Sequence, residues 1–314
     1  MKKISTYVFI CILFCFLLLF PGQTLDSSKY GLLLWFDSLL PALLPFLIIS
    51  QLILTTSLVD EFQKITGPVF QKIFHCSSQS AFCILCGFLC GYPVGARLIA
   101  VQLQEKRITL KEGQYLLAFC NNVSPMFCIS YGITYAIGAN NWIPFLCCIY
   151  GSALLFGIIT RPHRQSNNYE EKKQTSSTEN IFQLIDVCII DSFLIMIKLC
   201  GYLIIFSIIH RGIFMLLPAS LPYAEPLLGC ILEITGGLSK LSALPVGMIR
   251  SLIGTAALTF GGLCCIFQTN SVINDTGLSL KKYIFHKILI TILALCFFFL
   301  WEFFSNFFTI NRWC

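Results

Sequence analysis

The chain has 314 residues, of which 56% are hydrophobic and only 11% charged, and its mean hydropathy is +0.80. Soluble domains carry about 25% charged residues, so a water-soluble globule is excluded and a lipid-embedded chain is indicated. The formal net charge of +6 calls for no nucleic-acid partner, because basic loops beside membrane spans account for it.

In chain order, apolar runs cover 4–20, 31–59, 81–103, 115–138, 142–160, 181–209 and 283–308, each near the length that crosses about 30 Å of hydrocarbon. A further region, 226–267, is apolar but broken by Glu233, Gly236, Gly237, Lys240, Pro245 and Arg250. Period-2 alternation is absent, which argues against a β-barrel. The first run follows Lys2 and Lys3 and ends at Pro21-Gly22-Gln23, like a signal peptide, but lacks a small-x-small cleavage site. It is read as a retained helix. Residues 60–76 mix Asp60, Glu61, Lys64 and Lys72 with apolar positions, as a helix lying at the inner surface would. Residues 161–180 read as a soluble linker.

Lys and Arg collect on the cytoplasmic side. With Lys2 and Lys3 inside, the other basic clusters also fall inside if the segments at 81–103 and 226–241 dip into the membrane and return. These clusters are Lys64 and Lys72, Lys106 to Lys111, Arg161 to Lys173, and Lys281, Lys282 and Lys287. The expected fold is therefore an all-α polytopic membrane protein of about seven crossing helices and two re-entrant helical hairpins. Crossing helix, dip and crossing helix occur in 31–138 and again, inverted, in 181–268. Such inverted repeats with interrupted helices recur in secondary transporters. The expected organisation is an N-terminal helix and short loop (1–30), a first repeat (31–138), a connecting helix and linker (139–180), a second repeat (181–268), and a basic loop with a last helix (269–314).

Four polar motifs interrupt the apolar runs. Gly91, Tyr92, Pro93 and Gly95, followed by Arg97, break a helix and place a cation at membrane depth. They read as a re-entrant turn facing a cavity, or as a kinked helix whose arginine snorkels. Asn121, Asn122 and Ser124 before Pro125 offer donors and acceptors in mid-helix, for a substrate or ion, or as interhelical glue. Glu233, Thr235, Gly236, Gly237 and Lys240 form a second glycine-rich turn whose acid and base either pair or meet substrate. Arg250 heads a polar stripe with Ser251, Gly254, Thr255 and Thr259. Asp191 and Lys198 are spaced to pair with each other.

Most of the 17 cysteines lie in apolar runs and read as small hydrophobes. Cys83-x2-Cys86 has metal-ligand spacing but no second pair nearby, so no metal is expected. Neither G-x-x-x-x-G-K-[ST] nor H-E-x-x-H occurs. Nothing calls for a cofactor or for covalent catalysis.

The ordered set CGYPVGARL, LLAFCNNVSPMF, LEITGGLSKL and GTAALTFGGLCCIFQ, within 30–270, resembles the sporulation integral membrane proteins with a nucleoside-recognition (Gate) domain. The expected break before Pro125 is more glycine-like than Val123-Ser124. The resemblance implies a multi-pass protein of the outer forespore membrane that moves dipicolinate from mother cell toward forespore. It leaves open a nucleoside-type permease, because Gate domains are similar to halves of concentrative nucleoside transporters, and a non-transporting assembly role. A small anionic substrate would find cations and amides in Arg97, Lys240, Arg250, Asn121 and Asn122, with Arg97 and Lys240 each meeting one carboxylate. Asp191, Glu233 and the hydroxyl groups leave coupling to protons or sodium open, and a homodimer is a further option.

Overall fold

A computed structural model describes residues 2–56, 58–162, 181–216 and 223–310, and every element in them is helical. After α1 (Lys2–Leu19), α2 (Pro21–Leu34) runs through a π-helical turn, Trp35–Leu39, into α3 (Leu40–Thr55). Pro41, which has no amide to donate, directly follows this π turn, whose last bond runs from the Leu40 amide to the Trp35 carbonyl. Next come α4 (Leu58–Phe74), α5 (Ser80–Leu89), α6 (Val94–Gln104) and α7 (Leu110–Cys120). A short α8 (Pro125–Phe127) leads into a π-helix, Cys128–Ile137, and then α9 (Ile143–Ile159). The second half holds α10 (Ile181–Phe214), α11 (Ala224–Leu232), α12 (Ile234–Leu241), α13 (Met248–Phe260), α14 (Gly262–Ile273) and α15 (Leu280–Ile310).

Five stretches among the described residues are long and apolar enough to cross a membrane: Pro21–Ile53, Leu110–Ile137, Ile181–Phe214, Met248–Ile273 and Leu280–Ser305. Tyr7–Leu19, Ser80–Leu89 and Ile143–Ile159 are apolar but shorter. The chain is an all-α, multi-pass membrane protein. Lipid-facing helices expose apolar side chains freely, among them Phe193, Leu194 and Ile197 on α10 and Phe299, Leu300 and Phe303 on α15.

Two helix groups flank the interrupted segments. On one side α10 packs on α2 and α3, with Gly31 against Ser207 and Trp35 Nε1 donating to the Met196 carbonyl at 2.9 Å. On the other side α15 packs on α9, α7 and α13. Local signals fix the register of α7. Thr109 accepts from the Glu112 amide as an N-cap, and the Glu112 carboxylate accepts from Ser77 N and Ser80 Oγ at the start of α5. Gln114 grips the backbone of Ser279 just before α15.

The surface helix read at 60–76 corresponds to α4, which exposes Leu58, Ile65, Val69 and Ile73. Asp191 and Lys198 share α10 but form no ion pair with each other. The linker lies outside the described residues from 163 to 180. One expectation is corrected: Lys287 is no loop residue. It sits in the second turn of α15 with 0% of its surface exposed.

Candidate functional site

Three glycines four residues apart seat the first interruption. α5 ends at Cys90, and Gly91 takes φ +82°, a left-handed conformation that glycine alone adopts freely. A Cβ on Gly91 would lie 2.6 Å from the Ser124 amide nitrogen, and one on Gly95 2.9 Å from the Cys120 carbonyl oxygen. A Cβ on Gly87 would run into that same carbonyl. The turn of α5 and α6, which contains a cis Tyr92–Pro93 bond, therefore rests directly on the end of α7.

There α7 stops, and residues 121–124 leave helical conformation. Asn122 Nδ2 donates to the Phe119 carbonyl at 2.6 Å, and Tyr150 Oη donates to the Val123 carbonyl at 2.9 Å. Asn121 Nδ2 reaches across to Thr269 Oγ1 at 2.9 Å and Tyr283 Oη at 3.1 Å. Ser124 caps the next turn by accepting from the Phe127 amide. Two carbonyls at the break thus find donors, in its own Asn122 and in Tyr150 of α9, and α14 and α15 hold its Asn121, as membrane depth demands.

The second half repeats this logic with different residues. α11 meets α12 at Glu233, whose backbone is extended (φ −146°, ψ 115°). Its carboxylate, 5% exposed, accepts from the amides of Thr235 at 2.8 Å and Gly236 at 2.6 Å, so the charge lies on the N-terminus of α12. A Cβ on Gly229 would lie 2.7 Å from Gly237 Cα, which lets α11 and α12 pack backbone to backbone. The break between α13 and α14 is Gly261-Gly262, both with positive φ. Gly261 abuts Tyr92 of the first turn, and Gly262 abuts the carbonyl of Cys230 beside the second turn. Tyr131 Oη donates to the Thr235 carbonyl at 3.2 Å. Both turns and both breaks consequently meet at one junction.

Two cavities open there. The inner one, about 50 Å³, is lined by Tyr92, Ser124, Glu233, Thr235, Cys265 and Gln268 together with apolar side chains of α3 and α10. That volume has room for only a few waters. The larger, about 190 Å³, lies between α2, α10, α11 and α12 and is lined by Asp26, Tyr30, His210, Arg211, Glu225, Gly236, Gly237 and Lys240. Glu233 lines both cavities.

The residues singled out from sequence therefore divide. Tyr92, Ser124, Glu233 and Thr235 line the inner cavity, and Gly236, Gly237 and Lys240 the larger one. Gly91, Pro93 and Gly95 shape the first turn without lining either cavity. Asn121 and Asn122 are buried behind it. Arg97 is half-buried on α6 and lines neither cavity. Lys240 is 43% exposed and pairs with Glu225 at 2.8 Å rather than with Glu233. The Arg250 guanidinium donates to the carbonyls of Ala136, Leu244 and Tyr135 at 2.7, 2.5 and 3.3 Å, capping the π-helix. Its polar stripe is satisfied within α13: Thr255 donates to the Ser251 carbonyl and Thr259 to that of Thr255. Sequence reasoning missed Gln268, the Gly261-Gly262 break and Lys287. Among the described residues, no group of His, Cys, Asp and Glu could hold a metal ion.

The first turn and the first break share one stretch of chain with a family. Residues 36–142 match the Gate family, described as nucleoside recognition. The match begins in the π turn before α3 and ends just before α9. The chain is also 23% identical over 306 residues to the sporulation integral membrane protein YlbJ of Bacillus subtilis (strain 168), covering 86% of this chain and 75% of that protein. No solved structure matches it.

Proposed function

We propose that the chain is a carrier for a small, ring-bearing polar solute, which enters through the larger cavity and is held at the junction of the two turns. In this reading α5 with α6 and α11 with α12 are re-entrant hairpins of two inverted repeats, 31–138 and 181–268. The similarity to a nucleoside-recognition domain and to a bacterial membrane protein supports transport over catalysis. No covalent step is needed.

The observation that carries the substrate class is the lining of the inner cavity. Its carboxylate is Glu233, and its other polar groups are the neutral Tyr92, Ser124, Thr235 and Gln268. Hydroxyl and amide groups of an uncharged solute match that set. A dianion would meet an acid there, with Lys240 already neutralised by Glu225 and Arg97 elsewhere. A nucleoside-class solute is therefore the leading substrate. At about 50 Å³ the inner cavity is far below the roughly 300–1,000 Å³ of ligand sites, so a hairpin moves before a ring enters.

Dipicolinate is the second reading. It rests on the four-motif resemblance and on the sporulation role in the name of the relative. Equilibrium binding of labelled uridine and labelled dipicolinate to detergent-solubilised protein separates the two. The leading reading predicts saturable uridine binding that weakens about tenfold or more in Glu233→Ala, the scale of losing a hydrogen bond to a buried charged group. Saturable dipicolinate binding without uridine binding would reverse the assignment.

A further inference from the structure

The side chain of Lys287 reaches from α15 into the space behind the first turn and beside both breaks. Nζ donates to Asn122 Oδ1 at 2.9 Å and to the Thr259 carbonyl at 3.4 Å, and it lies 5.2 Å from the centre of the Tyr92 ring. Asn122 belongs to the break after α7, Thr259 to the last turn of α13 before Gly261, and Tyr92 to the turn between α5 and α6. The thiols of Cys120 and Cys265 are buried beside it. Among the described residues, no carboxylate pairs with it.

A buried charge without a counter-ion is costly, and a lysine that merely filled space would be replaced by an apolar side chain at a gain. What surrounds this one is a set of cation ligands: an amide oxygen, a backbone carbonyl oxygen and an aromatic face. Asn121 Oδ1, at the same break, is buried and accepts no bond. We infer that Lys287 is a resident cation, its tethered ammonium filling a monovalent-cation site that holds the first turn and both breaks in register. Removing the side chain leaves a vacant site for a small monovalent cation or a short alkylammonium. This inference is independent of which solute is carried.

Thermal unfolding of the purified protein tests it. Wild-type Tm is expected to stay the same in sodium, potassium, methylammonium or N-methylglucamine chloride at equal ionic strength. Lys287→Ala should unfold at lower temperature and regain several degrees in methylammonium or sodium but not in N-methylglucamine. In Lys287→Met, whose side chain refills the space, no cation should restore Tm. Selective stabilisation of the wild type by sodium would overturn the inference, because the site would then not be filled. An Ala variant indifferent to every cation would overturn it too. If neither variant folds, the same cation series on Lys287→Gln, which keeps most of the side chain's length and removes the charge, replaces them, and a sodium-selective rise in wild-type Tm still overturns the inference.

Discussion

At the scale of single residues, two kinds of constraint meet at the junction. Gly91 is there because its φ of +82° and the 2.6 Å approach of the Ser124 nitrogen leave no room for a Cβ. Gly91→Ala should lower stability by more than about 1 kcal/mol, through left-handed strain and the displaced break together. Gly201 in α10 makes a control: a Cβ there meets nothing within 4 Å. Gly201→Ala should be neutral or stabilising by up to about 1 kcal/mol, the ordinary helix-propensity gain. Denaturant or thermal unfolding of the two variants in one detergent checks both signs. Glu233 is constrained by charge rather than space. Its carboxylate serves two amides of α12, so Glu233→Ala should cost about 1–2 kcal/mol in the same assay in addition to its effect on binding. Lys240 and Glu225, by contrast, form a partly exposed pair. The double variant Arg97→Gln, Lys240→Gln should alter stability by less than about 1 kcal/mol and leave uridine binding nearly intact.

At the scale of elements, the interrupted helices were the most legible part of the chain. Glycine and proline inside apolar runs mark breaks because backbone groups freed at membrane depth need partners, and the first break in helix falls at Gly91 and Pro93, whereas the second falls at Glu233, with Gly236 and Gly237 inside α12. Arg250 shows its limit. A cation in mid-membrane reads as a substrate ligand, yet here it caps two C-terminal carbonyls of the π-helix, Tyr135 and Ala136, and ties them to the Leu244 carbonyl after α12. Arg250→Met should therefore destabilise the protein by about 1–3 kcal/mol, by leaving the buried Ala136 carbonyl and two part-buried ones without their donor, rather than weaken binding selectively. A Tm loss with unchanged affinity in the surviving fraction is the expected pattern. Lys287 was missed because three lysines within seven residues look like a basic loop. The signal was nevertheless present as a stripe. Tyr283, Lys287, Ile290, Ala294 and Phe298 follow helical spacing and are all fully buried, so the lysine belongs to the inward face of α15. Positive charge sets topology only where it reaches water, and periodicity outranks composition in deciding that. The tertiary meeting of Tyr92 with Gly261, and of Tyr131 with Thr235, joins residues more than 100 apart and has no local signature.

At the scale of the whole molecule, α2, α3 and α10 on one side and α9 and α15 on the other enclose the four interruptions, while their outer faces are apolar and exposed. Long outer helices around broken inner ones suit the carrier proposed above. Glu233 lines both the larger cavity and the inner one, so a single carboxyl group stands between them at the junction. The central claim is that a solute passes there. Uptake of labelled uridine into proteoliposomes, with labelled dipicolinate in parallel, tests it most directly. Saturable uridine uptake that falls about tenfold in Glu233→Ala and persists in Arg97→Gln, Lys240→Gln is the predicted result. Flux of neither solute through protein whose folded state is verified by its unfolding transition would contradict the account.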